Sequence, residues 1–361
     1  MKIIFLIGVP FSQWLKLITN KNIRFSLKFI FNYLIITIVS LLNQVLCVPE
    51  RLFFNIKKDR KVEDPIFVIG LWRSGTTLLH FLLGQDKYFC TPNNFQCAFP
   101  HTFNVMQKLL PLKLDRIKVP RPQDNMVVKL DSPCEDEVAI CSLLPNHAFY
   151  NYFFFSQNKE YFFDFLDFQK CSPVIISEWL RCHKKFHEKI SQYYNDKRVV
   201  YKSPGHTAKI KHLIKIYPKA SFVLITRHPL DIIQSTVHSI KMLSKVMLPM
   251  QKLDISGLEE TTFMLYKNVL NRLDEDLSLL HHNQYCRIKY EDMIMSPLNS
   301  LNKIYNKLRL GSFDNSNNEL SKYLKSIKGY IKNKYDPYSP ELKARVLDEF
   351  GPYIKKWEYE K

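Results

Sequence analysis

No cysteine in this chain stands in a C-x-x-C pair. The eight cysteines (47, 90, 97, 134, 141, 171, 182 and 286) are dispersed, which argues against both a zinc site and a thioredoxin-like motif. A chain of 361 residues does not need disulfide staples, so a reducing compartment, on the cytoplasmic side, is the simpler expectation. No arginine-rich arm, zinc finger or RNA-binding signature occurs, and nucleic acid is not expected as a partner. Glycine is scarce at 9 residues, while aromatic residues reach 14% with 26 Phe and 19 Tyr. There is no internal repeat or low-complexity tract, and 46% hydrophobic with 24% charged residues excludes wholesale disorder.

Acidic residues are outnumbered, 34 against 52 Lys and Arg, which leaves a net charge of +18. Such a balance favours anionic partners such as a nucleotide or an anionic membrane surface, unless it only reflects a lysine-rich surface. Residues 29–48 contain no charge, and that length can span a bilayer. On a helical wheel, Asn32, Tyr33, Thr37, Ser40, Asn43 and Gln44 fall within an arc of roughly 140°. Most of the remaining arc is Ile, Leu, Val and Phe. Cations flank both ends: Lys16, Lys21, Arg24 and Lys28 before it, and Arg51, Lys57, Lys58, Arg60 and Lys61 after it. A polar stripe with cationic flanks favours a helix lying in the membrane interface over one that crosses the bilayer or one packed on a globular domain. Like charge on both sides leaves a topology undecided. A signal peptide over Met1–Gln13 is disfavoured, because Pro10 interrupts the apolar run and no small-residue cleavage site follows. Residues 1–61 are thus expected to form a membrane-associated segment and residues 62–361 one further domain.

That domain reads as α/β. Strand-like runs occur at Ile66–Ile69, Arg198–Tyr201 and Ser221–Thr226, with a weaker one at Tyr285–Tyr290. Helical patterns occupy Thr207–Tyr217, Asp231–Leu243, Leu258–Leu280 and Glu341–Phe350, with polar or turn-rich stretches at Asp314–Glu319 and Lys332–Pro340. Alternation of this kind implies a central parallel sheet flanked by helices, with ligands at the carboxyl ends of the strands.

The first strand runs straight into Gly70-Leu71-Trp72-Arg73-Ser74-Gly75-Thr76-Thr77 and then a helical pattern through Leu83. Strand, glycine loop and helix in that order aim backbone N–H groups and a helix N-terminus at an anion. The spacing is that of a phosphate-binding P-loop, but Thr76 stands where the lysine that serves ATP belongs, and the nearest cation is Arg73. No apolar strand ends in a clear Walker-B aspartate. Two further stretches stand at strand ends. In Val200-Tyr201-Lys202-Ser203-Pro204-Gly205-His206-Thr207, the strand delivers Lys202 and a turn precedes His206. In Thr226-Arg227-His228-Pro229, Arg227 ends a strand and Ser235 follows eight residues later on a helix, an arginine fork and a hydroxyl able to hold one phosphate. Arg121 to Met126 leads to Asp131–Glu137, seven residues with four carboxylates that suit either a general base or an acidic helix start.

Together the lysine-less GLWRSGTTLLH loop, the VYKSPGHTAKI stretch and the RHPLDIIQS stretch resemble sulfotransferases that use 3′-phosphoadenosine 5′-phosphosulfate (PAPS). The bacterial-type branch, with an acidic P-x-E-D-E segment after the loop, is the most similar, over roughly residues 65–310. The resemblance implies that Arg73, Ser74, Gly75, Thr76 and Thr77 hold the 5′-phosphosulfate end of the donor. It implies that Arg227 and Ser235 grip the 3′-phosphate and that Lys202 stabilises charge near the sulfuryl group. Related families take the acceptor proton with a histidine after the second strand or a glutamate after the loop. No carboxylate occurs between Asn93 and Asn104, so His206 and the Glu135 to Glu137 cluster remain the candidates. A sulfuryl group carries less negative charge than a terminal phosphoryl, and no metal is expected.

An ATP-dependent small-molecule kinase and a non-catalytic, membrane-associated protein with a degenerate nucleotide fold are the competing readings. The acceptor is expected to carry a hydroxyl. Phe149–Phe168, eleven aromatics in twenty residues, suits either an apolar entrance for a lipid or glycolipid or simply core. Free sugars and other glycans are the alternative. Nothing in the sequence bears on oligomeric state.

Overall fold

Ile66–Ile69 forms β1, and all four side chains are buried. A continuous apolar run of this kind marks a strand covered on both faces. In the computed structural model, which describes residues 5–57, 60, 62–110, 112–313, 317–329, 333, 335 and 337–359, β1 is the middle of a five-stranded sheet. The others are β2 (Phe89–Cys90), β3 (Arg198–Lys202), β4 (Ser221–Thr226) and β5 (Tyr285–Lys289), in the order β2-β3-β1-β4-β5. Every pairing is parallel, with Phe67 opposite Tyr201 on one side and Phe222 on the other. Those three rings stack, at 5.8 Å and 5.4 Å between centroids. Phe67 and Ile69 enter one apolar cluster while Ile66 and Val68 enter a second on the opposite face. The parallel sheet flanked by helices is the architecture that the sequence led us to expect.

The chain opens with α1 (Phe11–Ile18) and α2 (Ile30–Phe53), ahead of β1. After β1 come α3 (Thr76–Leu83), α4 (Asn94–Ala98), α5 (Phe103–Leu109), α6 (Asp136–Leu143), α7 (Lys159–Asp167) and α8 (Pro173–Tyr193). The rest are α9 (Ile210–Ile216), α10 (Pro229–Val246), α11 (Leu258–Leu277), α12 (Tyr290–Met295), α13 (Pro297–Leu308), α14 (Asn317–Ser326) and α15 (Pro340–Lys356). Local chemistry fixes several starts. Ser172 and Ser339 each accept from a backbone N–H one turn into α8 and α15, with proline as the first helical residue. Asn93 and Gln96 form a reciprocal capping box at α4. The sequence reading had no element at α8, the longest helix of the α/β region at 21 residues. Lys58 and Lys61, counted among the cationic flank, lie outside the described residues, as do Asp314, Asn315 and Ser316 and, from the Lys332–Pro340 turn, Lys332, Lys334 and Asp336.

The apolar N-terminal helix is present, and α2 is long and apolar enough to cross a membrane by length and composition. It packs on the globular body, and it does so with its polar stripe. Tyr33, Ile36, Ser40, Asn43, Cys47 and Glu50 are buried. Asn32 Nδ2 donates to the Pro249 carbonyl at 2.6 Å, Tyr33 OH to Met250 at 3.0 Å and Asn43 Nδ2 to Ile7 at 2.6 Å. Trp14 Nε1 donates to Thr37 Oγ1 at 2.8 Å, and Glu50 is held by Lys189 at 2.7 Å and Asn104 at 2.8 Å. Leu6, Trp14, Tyr33 and Ile36 belong to the same apolar cluster as Phe67 and Tyr201, so this segment shares the core of the sheet.

Candidate active site

The turn after β1 needs its glycines. Gly70 and Gly75 have φ of 145° and 101°. A Cβ on Gly70 would lie 2.4 Å from the Ile225 carbonyl oxygen, and one on Gly75 would lie 2.4 Å from the Tyr290 ring. Both positions therefore exclude a side chain. Gly70 N–H donates to Thr207 Oγ1 at 2.8 Å, which ties the loop to the turn that follows β3. Ser74 turns both its hydroxyl and its N–H onto the Leu71 carbonyl, at 2.7 Å and 3.2 Å, so it braces the turn. Gly75 opens α3 without a capping side chain, with Thr76 buried and Thr77 half-buried in the first turn. Donors at a helix start that no side chain has capped are suited to an oxyanion.

Arg73 itself has a left-handed backbone, φ 68°, which turns its side chain out of the loop toward α10. Its Nε donates to Ser235 Oγ at 3.1 Å. Arg227, at the end of β4, donates to the Arg73 carbonyl at 3.4 Å, reaches Asp231 at 3.4 Å and lies 4.4 Å over the Tyr290 ring. Its Nε is buried without a partner among the described residues. The sequence reading divided Arg73 from Arg227 and Ser235 between two ends of a ligand; the structure brings all three together. Asp124 completes the group, accepting from Arg73 at 2.8 Å and from Arg121 at 2.7 Å. Burial pushes the Asp124 carboxyl up, but the two guanidinium groups outweigh it and hold it below the usual range. Tyr335 OH reaches Ser235 Oγ at 2.9 Å. Asp124 lay in a stretch already singled out in the sequence, while Tyr335, a hundred residues beyond Ser235, carried no signal at all.

Lys202, at the carboxyl end of β3, is 4% exposed and bonds Glu135 Oε1. Glu135 Oε2 accepts from Tyr150 OH at 2.5 Å, and Trp72 Nε1 of the loop donates to that same hydroxyl at 3.1 Å. Burial, and then the Glu135 charge, push the Tyr150 phenol well above its usual range, so it stays a donor. The Glu135 side chain keeps 23% exposure. It is the carboxylate at the mouth, one residue before α6.

Its neighbours are sealed. Asp136, Glu137, His206 and Lys209 are at most 1% exposed. Asp136 Oδ2 accepts from His206 Nε2 at 2.6 Å and His183 Nε2 at 2.9 Å, and Tyr217 OH lies 2.9 Å from His183 Nδ1. Lys209 bonds Glu137. The His206 ring, a candidate base in the sequence, is 0% exposed; Asp136 takes its Nε2, and its Nδ1 has no hydrogen-bond partner among the described residues. The ligand atoms of Asp136, His183 and His206 lie within 4.8 Å of one another, close enough to be tested as a metal set. One oxygen receives both rings at hydrogen-bond length, where a zinc would stand between ligands at about 2.0–2.2 Å from each. Burial pushes the Asp136 carboxyl up, but His206 and His183 outweigh it and hold it well below its usual range. Burial also keeps His183 below its usual value, against the pull of Asp136.

A cleft of about 510 Å³ lies between Ile233, Gln234 and Val237 of α10 and Pro337, Tyr338 and Arg345. It is lined by Glu259 and Glu341 and by no residue of the loop, which makes it a poor place for a phosphate.

With this geometry in view, the comparisons are informative. The model described as "Sulfotransferase family" matches residues 65–315. The omega-hydroxy-beta-dihydromenaquinone-9 sulfotransferases of Mycobacterium bovis and Mycobacterium tuberculosis are each 28% identical over 98% of this chain and 91% of their own. In fold, the chain is similar to the sulfotransferase STF9 from Mycobacterium avium, with a TM-score of 0.66 and 16% identity over 87% of this chain and 82% of that one. It is also similar to the sulfotransferase STF1 from Mycobacterium tuberculosis, with a TM-score of 0.61 and 16% identity over 94% of this chain and 90% of that one.

Proposed function

Because this chain belongs to the sulfotransferase family and is a sulfotransferase enzyme, we propose that its donor is PAPS and its acceptor a hydroxyl on a lipid. The observation that carries the reading is the run Trp72, Tyr150, Glu135, Lys202, which joins the glycine loop to the end of β3 beside the Arg73, Ser235 and Arg227 group. The donor set fits the group: Arg227 Nε is a buried cationic donor lacking a partner among the described residues, and it suits a phosphate oxygen. When bound, the donor supplies the sulfuryl group for in-line displacement.

Every other step belongs to the protein. The N–H groups of Gly75, Thr76 and Thr77 hold the 5′-phosphosulfate end, with the Thr77 hydroxyl, on the turn that Ser74 braces. Arg227 and Ser235 hold the 3′-phosphate, and Arg73 joins them, displacing Asp124. Lys202 stabilises the charge that develops on the leaving oxygen. Glu135 takes the acceptor proton, since it is the carboxylate of the cluster that meets solvent. His206 acts through Asp136, and Glu137 through Lys209, to fix the start of α6 and so aim Glu135; no step needs a metal. Residues 1–61 serve docking and 62–361 the chemistry, with the eight free cysteines suited to a reducing compartment.

The lipid acceptor is supported by the relatives, which are named for a menaquinone derivative, and by the aromatic wall beside Glu135. Phe149 packs on Trp72 at 5.8 Å and on Tyr152 at 5.3 Å. The test has two arms. Adenosine 3′,5′-bisphosphate or PAPS is expected to raise Tm while ATP leaves it unchanged. Labelled sulfuryl is expected to pass to a lipid extract and not to soluble sugars. A shift with ATP alone, or transfer confined to sugars, defeats the reading.

A further inference from the structure

Surface helices bury their apolar face and show water their polar one. α2 is mounted the other way round. Its buried positions 33, 36, 40, 43, 47 and 50 follow a three-four spacing on one side, and the opposite side carries Phe31, Leu34, Ile38, Leu42, Val45 and Leu52. These six are exposed, from 49% at Leu34 to 76% at Phe31. The ladder runs the length of a 24-residue helix, about 36 Å, and no charged residue interrupts it between Lys28 and Glu50. An apolar surface of this extent marks an interaction site.

We propose that the outward face of α2 docks flat on a lipid bilayer, with α2 lying in the plane of the membrane and never crossing it. The inference rests on the lipid-acceptor reading and says how such an acceptor is reached. Three observations favour a bilayer. The polar side of α2 is pinned to Pro249, Met250, Ile7 and Trp14, so standing α2 across a membrane would strip those bonds in hydrocarbon. Exposed cations sit at both ends, Arg24 and Lys28 before the ladder and Arg51 and Lys57 after it, where they meet anionic headgroups. A second copy is disfavoured by the same charges, since a two-fold pairing of α2 on α2, parallel or antiparallel, sets cation against cation at each end. The platform is also joined to the site: Asn43 holds Ile7, and Phe5 packs on Tyr150, the donor to Glu135, at 6.2 Å.

The full-length protein is sedimented with vesicles of phosphatidylcholine and phosphatidylglycerol, and its Tm is read with and without adenosine 3′,5′-bisphosphate. Binding is expected to fall by at least about tenfold when Ile38→Glu and Leu42→Glu are combined. Both sites are 61% exposed and outside the chemistry, so the nucleotide-induced rise in Tm stays. Tryptophans placed by Leu34→Trp, Leu41→Trp and Val48→Trp are expected to be quenched equally by shallow brominated lipids, after subtraction of the parent signal. A nucleotide shift without vesicle binding overturns the platform and leaves the sulfotransferase reading standing. Vesicle binding without a nucleotide shift does the reverse. Deepest quenching at position 41 alone, or a dimer in lipid-free buffer that Ile38→Glu splits, also overturns it.

Discussion

Glu135 and Glu137 stand two residues apart at the start of α6, and each meets one lysine, Lys202 at the end of β3 and Lys209 in the segment that follows it. The Glu135 pair with Lys202 opens onto solvent, with the carboxylate 23% exposed and a second bond to Tyr150. The Glu137 pair with Lys209 is shut in, both partners at most 1% exposed, with Lys209 also over the rings of Trp179 at 4.5 Å and Phe168 at 4.8 Å. Asp136, between them, faces inward onto two histidines. The functional groups are the same in both places; access is what differs. A carboxylate that solvent reaches can exchange a proton with a substrate, while one sealed beside a cation can only hold structure.

The largest separation is expected in turnover. Glu135→Gln keeps the shape and removes the basic oxygen, and is expected to lower kcat by about 10²–10⁴-fold, the usual span for a positioned base. Tm and the shift caused by adenosine 3′,5′-bisphosphate should hardly move. His206→Asn should cost Tm before it costs kcat. If Glu135→Gln turns over near the parent rate, the division between mouth and interior is wrong.

Next comes stability. Asp136→Ala leaves two buried imidazoles without an acceptor, and breaking such a set typically costs about 3–5 kcal/mol. Denaturant unfolding reads it directly. A change under about 1 kcal/mol would mean that water enters the cluster and the interior is not sealed.

Acid should reach the interior through its neutral imidazoles before it reaches the carboxylates. Burial lowers His80 and His187 to about 3, His101 to about 4, and His183 in the same direction. In the unfolded chain each imidazole takes a proton near pH 6.5. Folded-state values depressed in this way mean that their contribution is intact above about 6.5 and lost as pH falls through the window from 6.5 toward 3–4, by about 1.4 kcal/mol per unit for each ring that stays neutral. Asp136, also depressed, contributes only to the loss below about pH 4. Tm measured from pH 8 to 5 is expected to be level and then to fall below about 6.5; a flat profile to pH 5 would show that these rings charge in place.

Much of the scaffold could be read before folding, for a physical reason. A strand covered on both faces is a continuous apolar run, so Ile66–Ile69 and Ser221–Thr226 were found with their observed ends. Strand ends locate a site in a parallel sheet, which is why Lys202, Arg227 and the glycine loop could be nominated together. What stayed illegible was non-local. Asp136 and His206 are 70 residues apart in sequence and 2.6 Å apart in space, and no periodicity tells that the histidine faces inward. The two faces of α2 were visible on a wheel, but amphipathicity only says that the faces differ. Which one the protein keeps is decided by acceptors on distant segments, such as the Pro249 and Met250 carbonyls.

The smallest effect is the most discriminating. If the Lys209 and Glu137 pair is purely structural, removing one partner leaves an unpaired buried charge, whereas removing both leaves apolar surface in an apolar surround. Lys209→Met should be destabilising on its own, because Glu137 Oε2 already lacks a partner among the described residues and Oε1 would lose the ammonium. Glu137→Leu should be so for the mirror reason. The double variant is expected to recover most of the loss, within about 1 kcal/mol of the parent, as buried pairs replaced by hydrophobic residues often do. The methionine can still lie against Trp179 and Phe168, where sulfur–aromatic contact is favourable. The matching cycle at Lys202 and Glu135 should recover no activity at all if they are the base and charge stabiliser we propose, since removing both restores neither role. A double variant at Lys209 and Glu137 that folds well but turns over poorly would move that pair from the interior to the chemistry.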